Sequence, residues 1–300
     1  MQPRIHKLSV PNALDQKGIH EIAFLDWGPE DAMTVTICVH GLTRNAHDFD
    51  LLATGLANTG RRVLALDMAG RGDSPWLADS SGYHYATYVS DCLAVMDNFH
   101  LRGVEWVGTS MGGIIGMLIA ANHPSRIKKL VLNDIGSFLS AAALKRIYDY
   151  VSNVPTRFAS REEGDRYLKE IFVQFGITDP LLWQQFVDHS LQPTADGGFR
   201  LAYDPAIAQP LRLASNNFTE IQDVSLADSW EQIDIPTLIL RGELSDILDA
   251  ETVSAMRKVN TKAESITIAG AGHAPSLMTP QQIQMVVGWL ARPAGMVAGL

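Results

Sequence analysis

Gly108-Thr109-Ser110-Met111-Gly112-Gly113 stands between an apolar run ending in Val104-Glu105-Trp106-Val107 and a helix-length run from Ile114 to Ala121. A serine at a sharp strand-to-helix turn is held in strained backbone geometry, and small residues two positions to either side let neighbouring chains come that close. Gly108 and Gly112 meet this demand. The dipole and the free amides at the start of the following helix favour an anion beside Ser110. Ser110 is therefore the leading candidate nucleophile, and its turn also supplies part of a charge stabiliser. The stretch from Trp106 to Ala121 is uncharged and apolar enough to raise the question of a membrane span. Gly108, Thr109, Ser110, Gly112, Gly113 and Gly116 interrupt it, so a buried strand, turn and helix is the better reading, and no membrane partner is expected.

Around this turn, short β-rich runs alternate with amphipathic helix-length runs, the pattern of a parallel sheet with crossover helices. The strands read as Ile22 to Trp27, Val35 to Val39, Arg62 to Leu66, Val104 to Val107, Leu130 to Asn133, Thr237 to Leu240 and Ser265 to Ile268. The first is expected to be an antiparallel edge strand, joined to the second through Gly28-Pro29-Glu30-Asp31. Helices are expected at Phe49 to Asn58, Ala86 to Phe99, Met111 to Asn122, Ala250 to Val259 and Pro280 to Leu290. Between Asn133 and Ile235 the alternation stops. Leu144 to Val151, Glu162 to Phe175 and Leu181 to His189 read there as helices covering one end of the sheet, where they would enclose a pocket. Tyr203-Asp204-Pro205 reads as a turn that begins a helix. The tail from Arg292 to Leu300 is expected to fray.

The 300 residues carry a net charge of -9 and no basic cluster, which argues against nucleic acid as a partner. Cys38 and Cys92 are the only cysteines, and neither has a pairing or metal-ligand spacing. Two thiols and an N-terminus without an apolar leader make cytoplasmic residence the expectation. Oligomeric state is not legible in the sequence.

A serine hydroxyl needs a base, and the base needs an orienting acid. His273, in Ala269-Gly270-Ala271-Gly272-His273-Ala274, follows the last strand and lies at the same sheet edge as Ser110. Asp246, in the loop Arg241-Gly242-Glu243-Leu244-Ser245-Asp246-Ile247, is the preferred acid. Asp134, directly after Asn133, is the alternative, with Glu243 third. The oxyanion of a tetrahedral intermediate needs two backbone N-H groups. Met111 and Leu42 are the expected donors, the latter in His40-Gly41-Leu42-Thr43-Arg44-Asn45, where His40 braces the loop.

On His40-Gly41, the loop Asp67-Met68-Ala69-Gly70-Arg71-Gly72-Asp73-Ser74, the turn at Gly108 to Gly113, Asp246 and Gly272-His273, the chain resembles the α/β-hydrolase superfamily over nearly its whole length. The resemblance implies an α/β-hydrolase fold: a mostly parallel central sheet flanked by helices, with a helical cap inserted after strand six. The core would comprise residues 1–134 and 234–300, and the cap 135–233. It also implies a catalytic set of Ser110, Asp246 and His273 with oxyanion amides at Leu42 and Met111. The glycine-rich loop at 67–74 lacks the ending of a P-loop and the dinucleotide fingerprint, so it reads as a structural turn. No cofactor and no metal are expected.

Ser rather than Asp at position 110 argues against the carboxylate-nucleophile branches of the family. The expected reaction is hydrolysis of a carboxylic ester, with water and a small-molecule ester as the partners. Relatives that cleave carbon-carbon bonds in vinylogous diketones usually show Asn and Trp where this chain has Thr109 and Ala274. A ligand-binding receptor that retains the triad is a further alternative. Ile135, Leu139, Trp183 and Ile247 are candidate substrate contacts, with Leu144, Ile147, Phe158, Phe172 and Phe175 as further apolar cap residues. Arg44 is a candidate partner for a substrate carboxylate, as in a half-ester or hydroxyacid oligomer, although an ordinary ion pair with Asp48 or another acid is the favoured assignment.

Overall fold

The computed structural model describes residues 1–11, 18–209 and 221–293. The part of the expected frayed tail from Ala294 onward lies outside the described residues. In chain order the strands are β1 (Arg4–Pro11), β2 (Ile19–Trp27), β3 (Val35–Val39), β4 (Arg62–Leu66), β5 (Val104–Thr109), β6 (Ile127–Asn133), β7 (Phe138–Leu139), β8 (Leu191–Pro193), β9 (Phe199–Leu201), β10 (Val224–Ser225), β11 (Thr237–Gly242) and β12 (Ala263–Ile268). Eight of them form one sheet in the order β1-β2-β4-β3-β5-β6-β11-β12. From β4 to β12 every neighbouring pair is parallel.

The expected edge strand proves to be second from the edge. β1 covers it, and β2 pairs antiparallel with β4 rather than with the strand that follows it in sequence. β1 carries no strand signal in the sequence because its Arg, His and Lys residues dilute its apolar pattern, and most of its length is exposed or half-buried. Charged side chains on an edge strand also discourage pairing with other chains.

The helices are α1 (Asp50–Ala57), α2 (Tyr85–Asn98), α3 (Met111–Asn122), α4 (Ala141–Ser152), α5 (Arg161–Ile171), α6 (Pro180–Ser190), α7 (Ala227–Glu231), α8 (Ala250–Val259) and α9 (Pro280–Ala291). Their starts follow capping chemistry. Ser140, Ser160, Asp179, Asp249 and Thr279 each accept a first-turn amide with their side chains, and Pro180 and Pro280 occupy first helical positions. Tyr203-Asp204-Pro205 does initiate a helical turn: Asp204 caps the 3-10 segment Pro205–Ala208. Between β6 and β11 lie α4, α5, α6 and two short β-ribbons, which cover the C-terminal ends of the parallel strands around β5. None of the described helices is long and apolar enough to cross a membrane.

The crossing of β5 and α3 is the tightest point of the core. A Cβ on Gly108 would lie 2.3 Å from the backbone of Gly112, and one on Gly112 would lie 2.0 Å from the carbonyl oxygen of Val39 on β3. Trp106 is fully buried below them, and its indole N-H donates to the Gly112 carbonyl at 3.0 Å. Gly116 leaves room for that indole, since a Cβ there would meet its Nε1 at 2.4 Å. Backbone cannot yield as a flexible side chain can. Gly112→Ala is therefore expected to lose more than about 2 kcal/mol of stability in urea unfolding. Gly288→Ala, in α9 with nothing within 4 Å of its Cβ position, should gain up to about 1 kcal/mol from reduced chain entropy.

Candidate functional site

Ser110 occupies the turn between β5 and α3 with φ at 50° and ψ at -110°. For a residue with a side chain this is a strained conformation, fixed by the close backbone approach just described. Its amide donates to the Asn133 carbonyl at 3.0 Å, and its hydroxyl does not cap the helix it precedes. The hydroxyl faces His273, with Oγ and Nε2 3.0 Å apart. On the far side of the ring, His273 Nδ1 lies 2.8 Å from Asp134 Oδ2. An ionised carboxylate can only accept, so Nδ1 carries the proton and Nε2 is left to accept from the serine.

Asp134 thus takes the place expected of Asp246. It follows β6 without a spacer, has φ at 57°, and is completely buried. Because β6 lies between β5 and β11, a side chain at its end reaches between Ser110 and the loop after β12. Asp134 accepts from the Gly242 amide at 2.7 Å and the Ser245 hydroxyl at 2.5 Å as well as from His273. Ser245 in turn accepts from the amides of Ile247 and Leu248. The loop that carries Asp246 is therefore folded around Asp134. Asp246 itself points outward, with 40% of its side chain exposed, and pairs with Arg146 of α4. The sequence signal for Asp134 is a carboxylate directly after the buried run Leu130-Val131-Leu132-Asn133, where an ionisable group needs hydrogen-bond partners.

Asn133 fastens the assembly by donating to Thr109 Oγ1 at 3.1 Å and to the Pro275 carbonyl at 2.8 Å. One side chain thus ties the serine turn to the histidine loop. The Thr109 hydroxyl that distinguished this chain from carbon-carbon hydrolases is engaged in that tie.

Leu42 lies in the loop after β3, and Met111 is the first residue of α3. Neither amide donates to a protein acceptor among the described residues. A Cβ on Gly41 would stand 3.8 Å from Ser110 Cβ, which places this loop directly beside the candidate nucleophile. His40 braces it from inside the core. Its Nδ1 donates to the Gly41 carbonyl at 2.7 Å and its Nε2 accepts from the Met68 amide at 3.0 Å. Burial lowers its pKa to about 3, so it stays neutral and takes no part in proton transfer. Arg71, from the glycine-rich loop, donates to the Leu42 carbonyl at 2.9 Å and approaches the Met111 sulfur at 3.8 Å.

Arg44 lines the cavity beside Ser110, but its guanidinium is engaged by protein groups. It forms a two-pronged pair with Asp48 at 2.6 to 3.2 Å, donates to Ser190 of α6 at 2.7 Å, and stacks 3.7 Å from the centre of the Phe186 ring. Its charge is satisfied, and its packing joins the oxyanion-side loop to the cap.

Ser110, Met111 and His273 open into a cavity of about 580 Å³ roofed by the cap. Its apolar wall includes Ile135, Ile247, Leu139, Leu144, Phe172 and Phe175, as well as Ile147. Trp183 does not reach it: the indole donates to Asp165 at 2.6 Å and stacks behind Phe186. Phe158 likewise packs within the cap, against Tyr167. Helical spacing alone could not separate these inward and outward positions.

The fold also gathers His47, Asp50 and His189 where the core meets α6, a grouping invisible in sequence. The two imidazoles stack 3.7 Å apart at 12°, so their in-plane lone pairs run side by side and do not converge on one ion.

Two outcomes follow for measurement. Asp134→Asn should lower kcat on an ester substrate by roughly 10⁴-fold through loss of the correct imidazole tautomer, whereas Asp246→Asn should remain within about threefold, as befits a half-exposed ion pair. For stability, the fold holds His40 neutral far below the ordinary imidazole range, so its contribution is complete above pH 6.5. That contribution is lost as pH falls towards about 3. His40 by itself contributes a decline of about 1 kcal/mol per pH unit across that window, so the unfolding free energy of His40→Gln should fall less steeply with acid than that of the wild type.

A family model described as the alpha/beta hydrolase fold matches residues 35–278. The chain is 38% identical to the 3-hydroxybutyrate-oligomer hydrolase of Cupriavidus necator over 280 residues, covering 92% of this chain and 95% of that one. It is 29% identical to an sn-1-specific diacylglycerol lipase of Mus musculus over 79% of this chain and 74% of that one. Among solved structures, a chain from Rickettsia typhi superposes with a TM-score of 0.87 at 34% identity, covering 96% of this chain and 98% of the other. An alpha/beta hydrolase from Novosphingobium aromaticivorans gives 0.84 at 30% identity, with 97% and 99% covered. With its parallel sheet, its serine turn and these relatives, the chain belongs to the α/β-hydrolase family.

Proposed function

We propose that this hydrolase cleaves a carboxylic ester of a small to medium, largely apolar substrate through an acyl-serine intermediate. The observation that carries this reading is the continuous hydrogen-bonded series from Ser110 through His273 to Asp134, opening onto an apolar cavity beside two free amides. Ser110 Oγ attacks the ester carbonyl while His273 Nε2 takes its proton. The carbonyl oxygen becomes an oxyanion held by the Leu42 and Met111 amides. His273 then passes the proton to the departing alkoxide, and the acid remains on Ser110. Water enters, gives a proton to His273, and attacks the acyl carbon; His273 returns that proton to Ser110 as the acid leaves. Asp134 keeps the imidazole oriented and stabilises it while it is positive.

Short hydroxyacid oligomers head the list of substrates to test, on the strength of 38% identity along nearly the full length to a 3-hydroxybutyrate-oligomer hydrolase. The cavity of about 580 Å³ falls within the usual range for small ligands. Arg44 is not the anchor for a substrate carboxylate in this reading, because Asp48 neutralises its charge and Ser190 takes a further donor.

The deciding experiment is a turnover panel of p-nitrophenyl butyrate, 3-hydroxybutyrate dimer and trimer, and a vinylogous diketone, with Ser110→Ala as control. Repeated turnover of esters that drops by at least about 10³-fold in Ser110→Ala supports the reading. Turnover of the diketone alone would transfer it to carbon-carbon cleavage. Binding without turnover anywhere on the panel would leave a receptor of the same fold. Arg44→Ala should slow neutral and carboxylate-bearing esters by the same factor; a selective loss on the latter would restore Arg44 as a charge-reading residue.

A further inference from the structure

Arg71 is fully buried, and no acidic side chain pairs with it among the described residues. Its guanidinium is surrounded by neutral groups instead. Nε donates to the Leu42 carbonyl at 2.9 Å, Nη1 to the Ala69 carbonyl at 2.7 Å and the Tyr88 hydroxyl at 2.8 Å, and Nη2 faces the Met111 sulfur at 3.8 Å. Burying a cation without a counter-ion is costly, and holding a turn in shape does not require it. Two of its four contacts are to the residues whose amides stand free beside Ser110.

We propose that Arg71 is a positioning residue for the oxyanion site, fixing Leu42 against Met111 and placing a positive charge behind the two amides. A charge with no counter-ion in the resting protein acquires one when the tetrahedral oxyanion forms. The interaction is stronger in the transition state than in the ground state, which is the condition for raising kcat rather than merely lowering KM. The planar fork lets one side chain reach the Leu42 carbonyl and Met111 together, which a lysine's single ammonium cannot do. This inference rests on the ester-hydrolysis reading for its reaction. The site it describes is the same one.

The test compares wild type, Arg71→Met and Arg71→Lys in kcat and KM for p-nitrophenyl butyrate, and in affinity for an alkylboronic acid, which forms a tetrahedral anion on the serine. Near-UV circular dichroism and thermal unfolding establish that each variant is folded. Arg71→Met is expected to lose roughly ten- to hundredfold in kcat, less than removal of a direct oxyanion donor, with KM changed by no more than about threefold. Its boronate affinity should fall by the same factor as kcat. Arg71→Lys, which keeps the charge and loses the fork, should recover part of both. A merely structural role would lower the unfolding temperature without moving boronate affinity, and that result would overturn the proposal. So would an Arg71→Lys variant no better than Arg71→Met. If Arg71→Met does not fold, Arg71→Gln, which retains a donor without the charge, takes its place under the same criteria. Failure of the wild type to turn over any ester would instead remove the ester reading, while boronate affinities would still report on Arg71.

Discussion

Three stretches of backbone meet at Val39, Gly108 and Gly112, closer than any side chain would allow, and the rest of the site follows from that contact. It sets the angle at which β5 passes into α3, and so forces Ser110 into its positive φ with the hydroxyl turned outward. It also brings the loop after β3 alongside the nucleophile, so that the amides of Leu42 and Met111 stand on one side of it. Trp106 and Gly116 lock the crossing from below. The strain at Ser110 is thereby held by packing across two strands and a helix. No local interaction of the serine could hold it.

Around that point the chemistry is distributed over strand ends. β6 contributes Asn133, which binds the serine turn to the histidine loop, and Asp134, which orients the imidazole. The loop after β11 contributes Gly242 and Ser245, which donate to the buried Asp134 carboxylate. Asp246, on that same loop, faces the cap and pairs with Arg146. One loop therefore supports the acid from within and joins the core to the lid from without.

The cap is connected to the oxyanion side as well. Arg44 reaches from the loop after β3 into α6, and Arg71 ties that loop to the glycine-rich turn beneath. Two arginines thus flank Leu42. One is neutralised by Asp48, and the other carries its charge among neutral acceptors, which separates a packing role from an electrostatic one.

Much of this was legible in the sequence. Seven strands, the helices around them, the serine turn, His273, Leu42 and Met111 each announce themselves locally, through apolar periodicity, glycine spacing and strand-end loops. The identity of the acid did not. Asp134 and Asp246 both follow parallel strands, and choosing between them requires knowing that β6 lies between β5 and β11 and that Ser245 turns inward while its neighbour turns out. The same limit applies to Trp183 and Arg44, whose partners Asp165, Ser190 and Phe186 are set by helix packing within and onto the cap. It applies also to Arg71, which lay in a loop that reads as a plain turn. Sequence by itself determined the fold and pointed to the candidate nucleophile, base and amides, because these depend on backbone geometry that glycine placement and strand order dictate. Tertiary structure decided which carboxylate meets His273, the cavity wall and the buried cation, because side-chain partners contributed by distant elements are fixed only when those elements pack.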